Sequence, residues 1–114
     1  AFEGERALMA LGSGGSNRIR TAILQVLVNL LDFSMSVEDA VAAPRLHFEG
    51  GMLNYETGFA DGDIAHLVRE RPDHKHWDER NLFFGGVHVA RYDRTGHGFT
   101  GAGDPRRGGA TRII

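Results

Sequence analysis

One junction constrains this chain more than any other: a short apolar run, Ala7 to Leu11 (ALMAL), then Gly12 to Asn17 (GSGGSN), then sustained helical periodicity. Ile19, Ala22, Ile23, Val26, Leu27 and Leu30 fall on one face of a 3.6-residue repeat, which predicts an amphipathic helix. The apolar run reads as a buried strand. Ser16 or Asn17 is placed to cap the helix. Strands and helices interspersed along the chain in this way suggest a layered, mixed unit.

The rest of the sequence extends that picture. Ser36-Val37-Glu38-Asp39 opens a second helix, with Asp39 in the capping-box position, and Pro44 ends it. Leu46 to Glu49 and Met52 to Glu56 read as a hairpin across Gly50-Gly51. A third helix is expected over Asp61 to Arg71, turning Ile64, Leu67 and Val68 inward. Lys75 to Asp78 reads as an edge strand. Val87 to Arg91 and His97 to Ala102 form an antiparallel pair across an Asp93 to Gly96 turn. No repeat or linker divides the sequence, so residues 1–114 are read as one unit of α/β or α+β class.

Charge narrows the partners. There are 13 Lys+Arg and 15 Asp+Glu, a formal net charge of −2, which gives no attraction to nucleic acid or an anionic membrane. The longest apolar run is too short to span a bilayer. The sequence opens at Ala1, not Met, so any upstream targeting segment lies outside it. Cysteine is absent, which removes thiolate chemistry and Cys-based metal sites. Six histidines are scattered apart from His74 and His76, which share one strand face; with no HExxH, no metal site is expected. No cofactor is called for.

The glycine segment is open to two readings. Consecutive glycines let backbone N–H groups converge, and a helix start adds unpaired donors and a positive dipole end, so the segment suits an oxyanion or a phosphate. It equally suits a plain turn that uses glycine for geometry. GSGGSNR matches neither GxGxxG nor GxxxxGK[ST], so a nucleotide is disfavoured.

The ordered combination of segments carries more. LGSGGSNRIRTAILQVLVNLLDFSMSVEDAVAAPRLHFEG, residues 11–50, and NLFFGGVHVARYD…GAGDPRRGGA, residues 81–110, resemble the C-terminal part of the small subunit of gamma-glutamyltransferases. The resemblance implies part of an N-terminal-nucleophile hydrolase, a four-layer αββα sandwich. It also implies a precursor that cleaves itself to expose a Thr, which attacks γ-glutamyl amides such as glutathione with its own amine as base. That Thr would lie upstream of Ala1, as would the residues gripping the glutamyl group. The partner is therefore the upstream portion of the same precursor, or a second copy by self-association. The chain alone is expected to be inactive.

The resemblance assigns this chain the backbone oxyanion donors. Gly14 and Gly15 match the family's glycine pair directly. The family commonly has one residue between that pair and Arg-Ile, whereas here Ser16 and Asn17 both intervene before Arg18. An ungapped match puts Gly15 and Ser16 at the oxyanion positions, with Gly14 where a Pro often stands. Arg18 is a candidate for steering an anionic substrate, or for a structural ion pair with Asp32, Asp104 or Glu38. Arg45 and the Asp104-Pro105-Arg106-Arg107 turn either clamp the fold or line the site. Gln25 reads as structural and Asn29 as solvent-facing. Phe83 to Gly86 reads as the buried start of a strand. Two alternatives stay open: an amidase of the same fold acting on another acyl donor, and a non-catalytic oligomerising domain.

Overall fold

The computed structural model describes residues 1–71 and 73–114. Its strands are β1 (Phe2–Glu3), β2 (Arg6–Ala7), β3 (Met9–Gly14), β4 (Leu46–Glu49), β5 (Met52–Glu56), β6 (His74–Trp77), β7 (Gly86–Asp93) and β8 (Gly98–Ala102). Its helices are α1 (Ile19–Leu31), α2 (Val37–Ala42) and α3 (Asp61–Glu70), with 3-10 turns at Leu82–Phe84 and Pro105–Arg107. The expected mixture of helices with antiparallel and mixed sheets is what forms.

The main sheet has the order β3-β7-β8, antiparallel throughout. Its pleat divides side chains cleanly. Met9, Val87 and Val89 point to one face, where α1 supplies Ala22, Val26 and Leu30 and α2 supplies Val37, Ala40 and Val41. The opposite face carries Ala10, Gly12, His88, Ala90 and Phe99, all exposed. One helical layer therefore covers one side of the sheet, and the other side is covered only in part, by the C-terminal segment, which lies against Gly86, His88 and Gly101.

A smaller sheet, β4-β5-β6, abuts this half-sandwich. The expected hairpin joins β4 to β5, and Gly50 (φ 59) and Gly51 (φ 82) supply the two left-handed positions its turn needs. The next strand is an edge strand, as expected, but one residue earlier than read, and it runs parallel to β5. Helix α3 makes that parallel return feasible, because parallel strands need a crossover. Ile64, Leu67 and Val68 do share its inner face, though each is only half-buried.

Several local expectations are corrected. The first long strand runs from Met9 through Gly14, so half of the glycine segment is strand rather than loop. Pairing with β7 offsets the poor strand propensity of glycine. Neither Ser16 nor Asn17 caps α1 through its side chain; Arg18 is the N-cap, and the Ser16 carbonyl accepts the Ile19 N–H at 3.1 Å. By contrast, Ser36 does cap α2, accepting the Asp39 N–H at 3.1 Å. Phe83 and Phe84 lie in a 3-10 turn, because Asn81 Oδ1 accepts the Phe83 N–H and Gly85 (φ 77) reverses the chain before β7 begins. Asn29 is half-buried rather than solvent-facing, with its amide 3.5 Å from the Ala40 carbonyl. Gln25 is structural: it exchanges hydrogen bonds with both the N–H and the C=O of Leu46, locking α1 to β4.

Candidate functional site

The glycine turn sits at the exit of β3. Gly14 is the last residue of the β3–β7 ladder, opposite Gly86. The Tyr92 N–H bonds the Leu8 carbonyl, whereas the Val87 N–H reaches Asp104 Oδ2. Even-numbered residues of β7 thus direct their backbone toward β3, and Gly86 faces Gly14. Gly15 then turns the chain with φ 142, a value that side-chain-bearing residues rarely adopt. Gly15 and Ser16 are exposed at the positive end of the α1 dipole. Among the described residues, nothing accepts a hydrogen bond from the N–H of Gly15, Ser16 or Asn17.

A hub on β4 holds the far flank of this turn. Glu49 Oε1 accepts from Asn17 Nδ2 at 3.1 Å, and its Oε2 lies 3.8 Å from Arg18 Nη1. These contacts, with that to His47, hold the Glu49 carboxyl below its ordinary range, the Asn17 hydrogen bond contributing most. The counter-ion of Arg18 is therefore Glu49, not Asp32, Asp104 or Glu38. Arg18 Nε also donates to the Phe83 carbonyl at 2.5 Å, and its guanidinium stacks 4.1 Å from the Phe83 ring centre. His47, buried, bridges Thr21 Oγ1 at 3.0 Å and Glu49 Oε2 at 3.3 Å.

Beneath the turn lies a buried cluster of four charges. Arg45, Glu56, Asp104 and Arg106 are 1%, 0%, 0% and 7% exposed. Arg106 forks onto Glu56 through Nε–Oε1 at 2.8 Å and Nη2–Oε2 at 2.5 Å. Arg45 Nη2 lies 2.7 Å from Asp104 Oδ2, and Arg106 Nη1 lies 3.3 Å from Asp104 Oδ1. Two cations balance two anions, and backbone groups satisfy much of the rest: Arg106 donates to the Val41 and Ala43 carbonyls, Arg45 to those of Val41 and Gly85. Burial works against charge on Asp104, but the Val87 N–H and the Arg45 guanidinium outweigh it and hold the carboxyl below its usual range. Burial likewise opposes the charge on Arg106, and the Glu56 hydrogen bond overcomes it and raises the guanidinium further. For Arg45 burial wins, aided by the Arg106 charge, and its value falls. Of the two sequence readings of Arg45 and Arg106, clamping the fold is the one realised.

Arg107 behaves unlike its neighbour. It is exposed and its side chain runs along the glycine turn. A methyl group on Gly86 would stand 2.6 Å from Arg107 Cδ, and one on Gly15 3.4 Å from Arg107 Nη2. Among the described residues its guanidinium meets no carboxylate and no carbonyl.

The ordered segments and this architecture meet in one comparison. A family model for gamma-glutamyltranspeptidase matches residues 1–114. The chain belongs to the gamma-glutamyltranspeptidase family. It is 46% identical over 68 residues to an acylase ACY 1 proenzyme of Pseudomonas sp. strain SE83, covering 60% of this chain and 12% of that protein. It is 31% identical over 110 residues to a glutathione hydrolase proenzyme of Pseudomonas aeruginosa, covering 93% of this chain and 19% of that protein. The chain thus spans less than a fifth of those relatives. Among solved structures, gamma-glutamyltranspeptidase from Pseudomonas nitroreducens complexed with L-DON superposes with a TM-score of 0.78 at 27% identity, covering 100% of this chain and 59% of that one. The fold has the expected N-terminal-nucleophile hydrolase character, as that likeness shows.

The glycine turn, Arg45 and the Asp104–Arg107 turn are legible in the sequence as candidates. Glu56 and Glu49 are not. Two arginines bound for the interior require two buried carboxylates, and that requirement was the available signal for Glu56.

Proposed function

We propose that this chain supplies the oxyanion-binding turn of a γ-glutamyl acyl-transfer enzyme and works with the remainder of a larger precursor. The observation that carries the reading is the unpaired run of N–H groups at Gly15 and Ser16, held at the exit of β3. Because Gly14 ends the strand ladder, the ungapped register, Gly15 with Ser16, fits the geometry better than Gly14 with Gly15.

The chemistry would run as follows. The hydroxyl of an N-terminal Thr from the upstream portion attacks the γ-carbonyl carbon, and its α-amine takes the proton. The carbonyl oxygen becomes an oxyanion, which the Gly15 and Ser16 N–H groups stabilise. The tetrahedral intermediate collapses, the amine leaves with a proton, and a γ-glutamyl ester remains. Water or an acceptor amine then releases the acyl group. On this reading catalysis belongs to the processed precursor as a whole, with these residues contributing the oxyanion donors.

The exposed residues on the outer face of β3-β7-β8 support the partnership, since a sheet covered by helices on one side alone is half a sandwich. A second reading, hydrolysis of another acyl amide, draws support from the acylase ACY 1 relatives. The test is to purify the full-length protein, sequence the N terminus of each chain present, and assay γ-glutamyl and other acyl anilides. A chain starting with Thr and γ-glutamyl hydrolysis are expected. Preference for another acyl group establishes the acylase reading, and an unprocessed, inactive protein overturns both.

A further inference from the structure

We infer that Arg107 recognises a carboxylate of the substrate beside the oxyanion turn, and so sets the enzyme's preference for anionic acyl donors or acceptors. The inference rests on the acyl-transfer reading above and extends it to a residue and a ligand chemistry.

The anchoring of Arg107 is rigid where its tip is free. Asp104, wholly buried, accepts the Arg106 N–H at 2.9 Å and so caps the Pro105–Arg107 turn. The Arg107 N–H returns to the Asp104 carbonyl at 3.2 Å. The backbone of Arg107 is thereby fixed to the buried charge cluster. Its methylenes lie where a Gly86 side chain would have to be, and a Cβ there would meet Cγ at 2.7 Å and Cδ at 2.6 Å. Glycine at residue 86 leaves that track open. The guanidinium ends over the turn, with Nη1 3.7 Å from a Cβ position on Gly14 and Nη2 3.4 Å from one on Gly15.

Charge accounting separates Arg107 from the other arginines here. Arg45 and Arg106 are neutralised inside the protein, and Arg18 pairs with Glu49 and stacks on Phe83. Arg107 has no anion among the described residues, yet it sits against amides that also favour negative charge. A planar fork in such a place suits a carboxylate. A carboxylate on the acyl group, or one on the acceptor amine, could fill the role.

The test uses the full-length protein with Arg107→Ala and Arg107→Lys, after matching their melting temperatures to wild type. Three donors share a neutral p-nitroaniline leaving group: γ-glutamyl, glutaryl and butyryl, the last without a carboxylate. Acceptors are glycylglycine and its C-terminal amide. Arg107→Ala is expected to raise KM about tenfold or more for the carboxylate-bearing member of the responsible series, a loss typical of a charged hydrogen bond. KM for the uncharged counterpart should stay within about twofold, and Arg107→Lys should fall between. An effect confined to donors identifies the acyl carboxylate, and one confined to acceptors the acceptor carboxylate. A uniform fall in kcat for every substrate overturns the proposal and makes Arg107 an oxyanion stabiliser. No change overturns it too, while leaving the acyl-transfer reading intact. Should the protein turn over none of these donors, that reading fails, and calorimetry decides the proposal separately. Glutarate must then bind wild type more tightly than Arg107→Ala, with butyramide indifferent; equal glutarate affinities overturn it.

Discussion

Arg106 and Glu56, fifty residues apart in sequence, meet in a two-pronged ion pair in which both side chains are wholly buried. Each would be intolerable alone. The pair closes the link between the C-terminal turn and β5, and through Val41 and Ala43 it also grips the end of α2. Removing one partner leaves the other charged and unpaired inside the protein. Arg106→Ala is therefore expected to destabilise by about 3–5 kcal/mol. Arg106→Lys should recover little, because an ammonium cannot form the fork. Urea unfolding of wild type and both variants checks this. A loss below about 1 kcal/mol for Arg106→Ala would sink the account.

Asp104 gives the cluster a pH signature. Its carboxyl is held below the ordinary range in the folded chain, despite burial, by the Val87 N–H and Arg45. A depressed folded-state value means that the stabilisation is fully present above the unfolded-state carboxylate value, about 3.9, and is lost as pH falls through the folded value. Stability should be nearly flat from neutrality to about pH 5 and then fall. Asp104→Asn should be weaker at pH 7 and show a shallower acid limb. Melting temperatures from pH 7 to pH 2.5 provide the comparison. Parallel acid limbs in the two proteins would assign the acid loss to other groups.

Glycines divide sharply by what surrounds them. A Cβ on Gly103 would lie 2.3 Å from the Ala110 nitrogen, a backbone contact that no rotamer change relieves. Gly62, within α3, has nothing within 4 Å of that position. Gly103→Ala should cost more than about 2 kcal/mol by displacing the C-terminal segment from β8. Gly62→Ala should stabilise by about 0.5–1 kcal/mol through helix propensity. Opposite shifts in the unfolding midpoint are expected, and shifts of the same sign would contradict this packing.

Local patterns made much of this fold legible. The α1 stripe from Ile19 to Leu30, the Ser36 cap and the Gly50-Gly51 hairpin each depend on neighbours within a few residues, and each formed as read. What escaped depends on distant partners. Gly12 to Gly14 extend β3 because β7, more than seventy residues later, offers a ladder to them. The parallel direction of β6 follows from the α3 crossover rather than from its own residues. At the site, Arg18 was visible but Glu49 was not, because a charge at a hairpin tip reads as solvated until α1 packs beside it. Arg106 and Arg107 are identical in sequence terms, and only the fold sends one into the interior and the other along Gly86.

The register of the proposed oxyanion turn can be decided by substitutions at Gly14, Gly15 and Ser16. Gly14 has an ordinary φ, and a Cβ there would make only normal contact with Arg107 at 3.7 Å. Gly15 sits at φ 142, where any side chain strains the backbone and rotates the following amides. In the full-length protein, Gly15→Ala should lower kcat roughly 100-fold, the scale of losing one oxyanion donor. Gly14→Ala should stay within about threefold, since its amide belongs to the strand ladder and not to the turn. Ser16→Ala should also be close to wild type, because only its backbone is called upon. If Gly14→Ala proves as damaging as Gly15→Ala, with both proteins folded and processed, the donors are Gly14 and Gly15, and the turn opens one residue earlier than its geometry indicates.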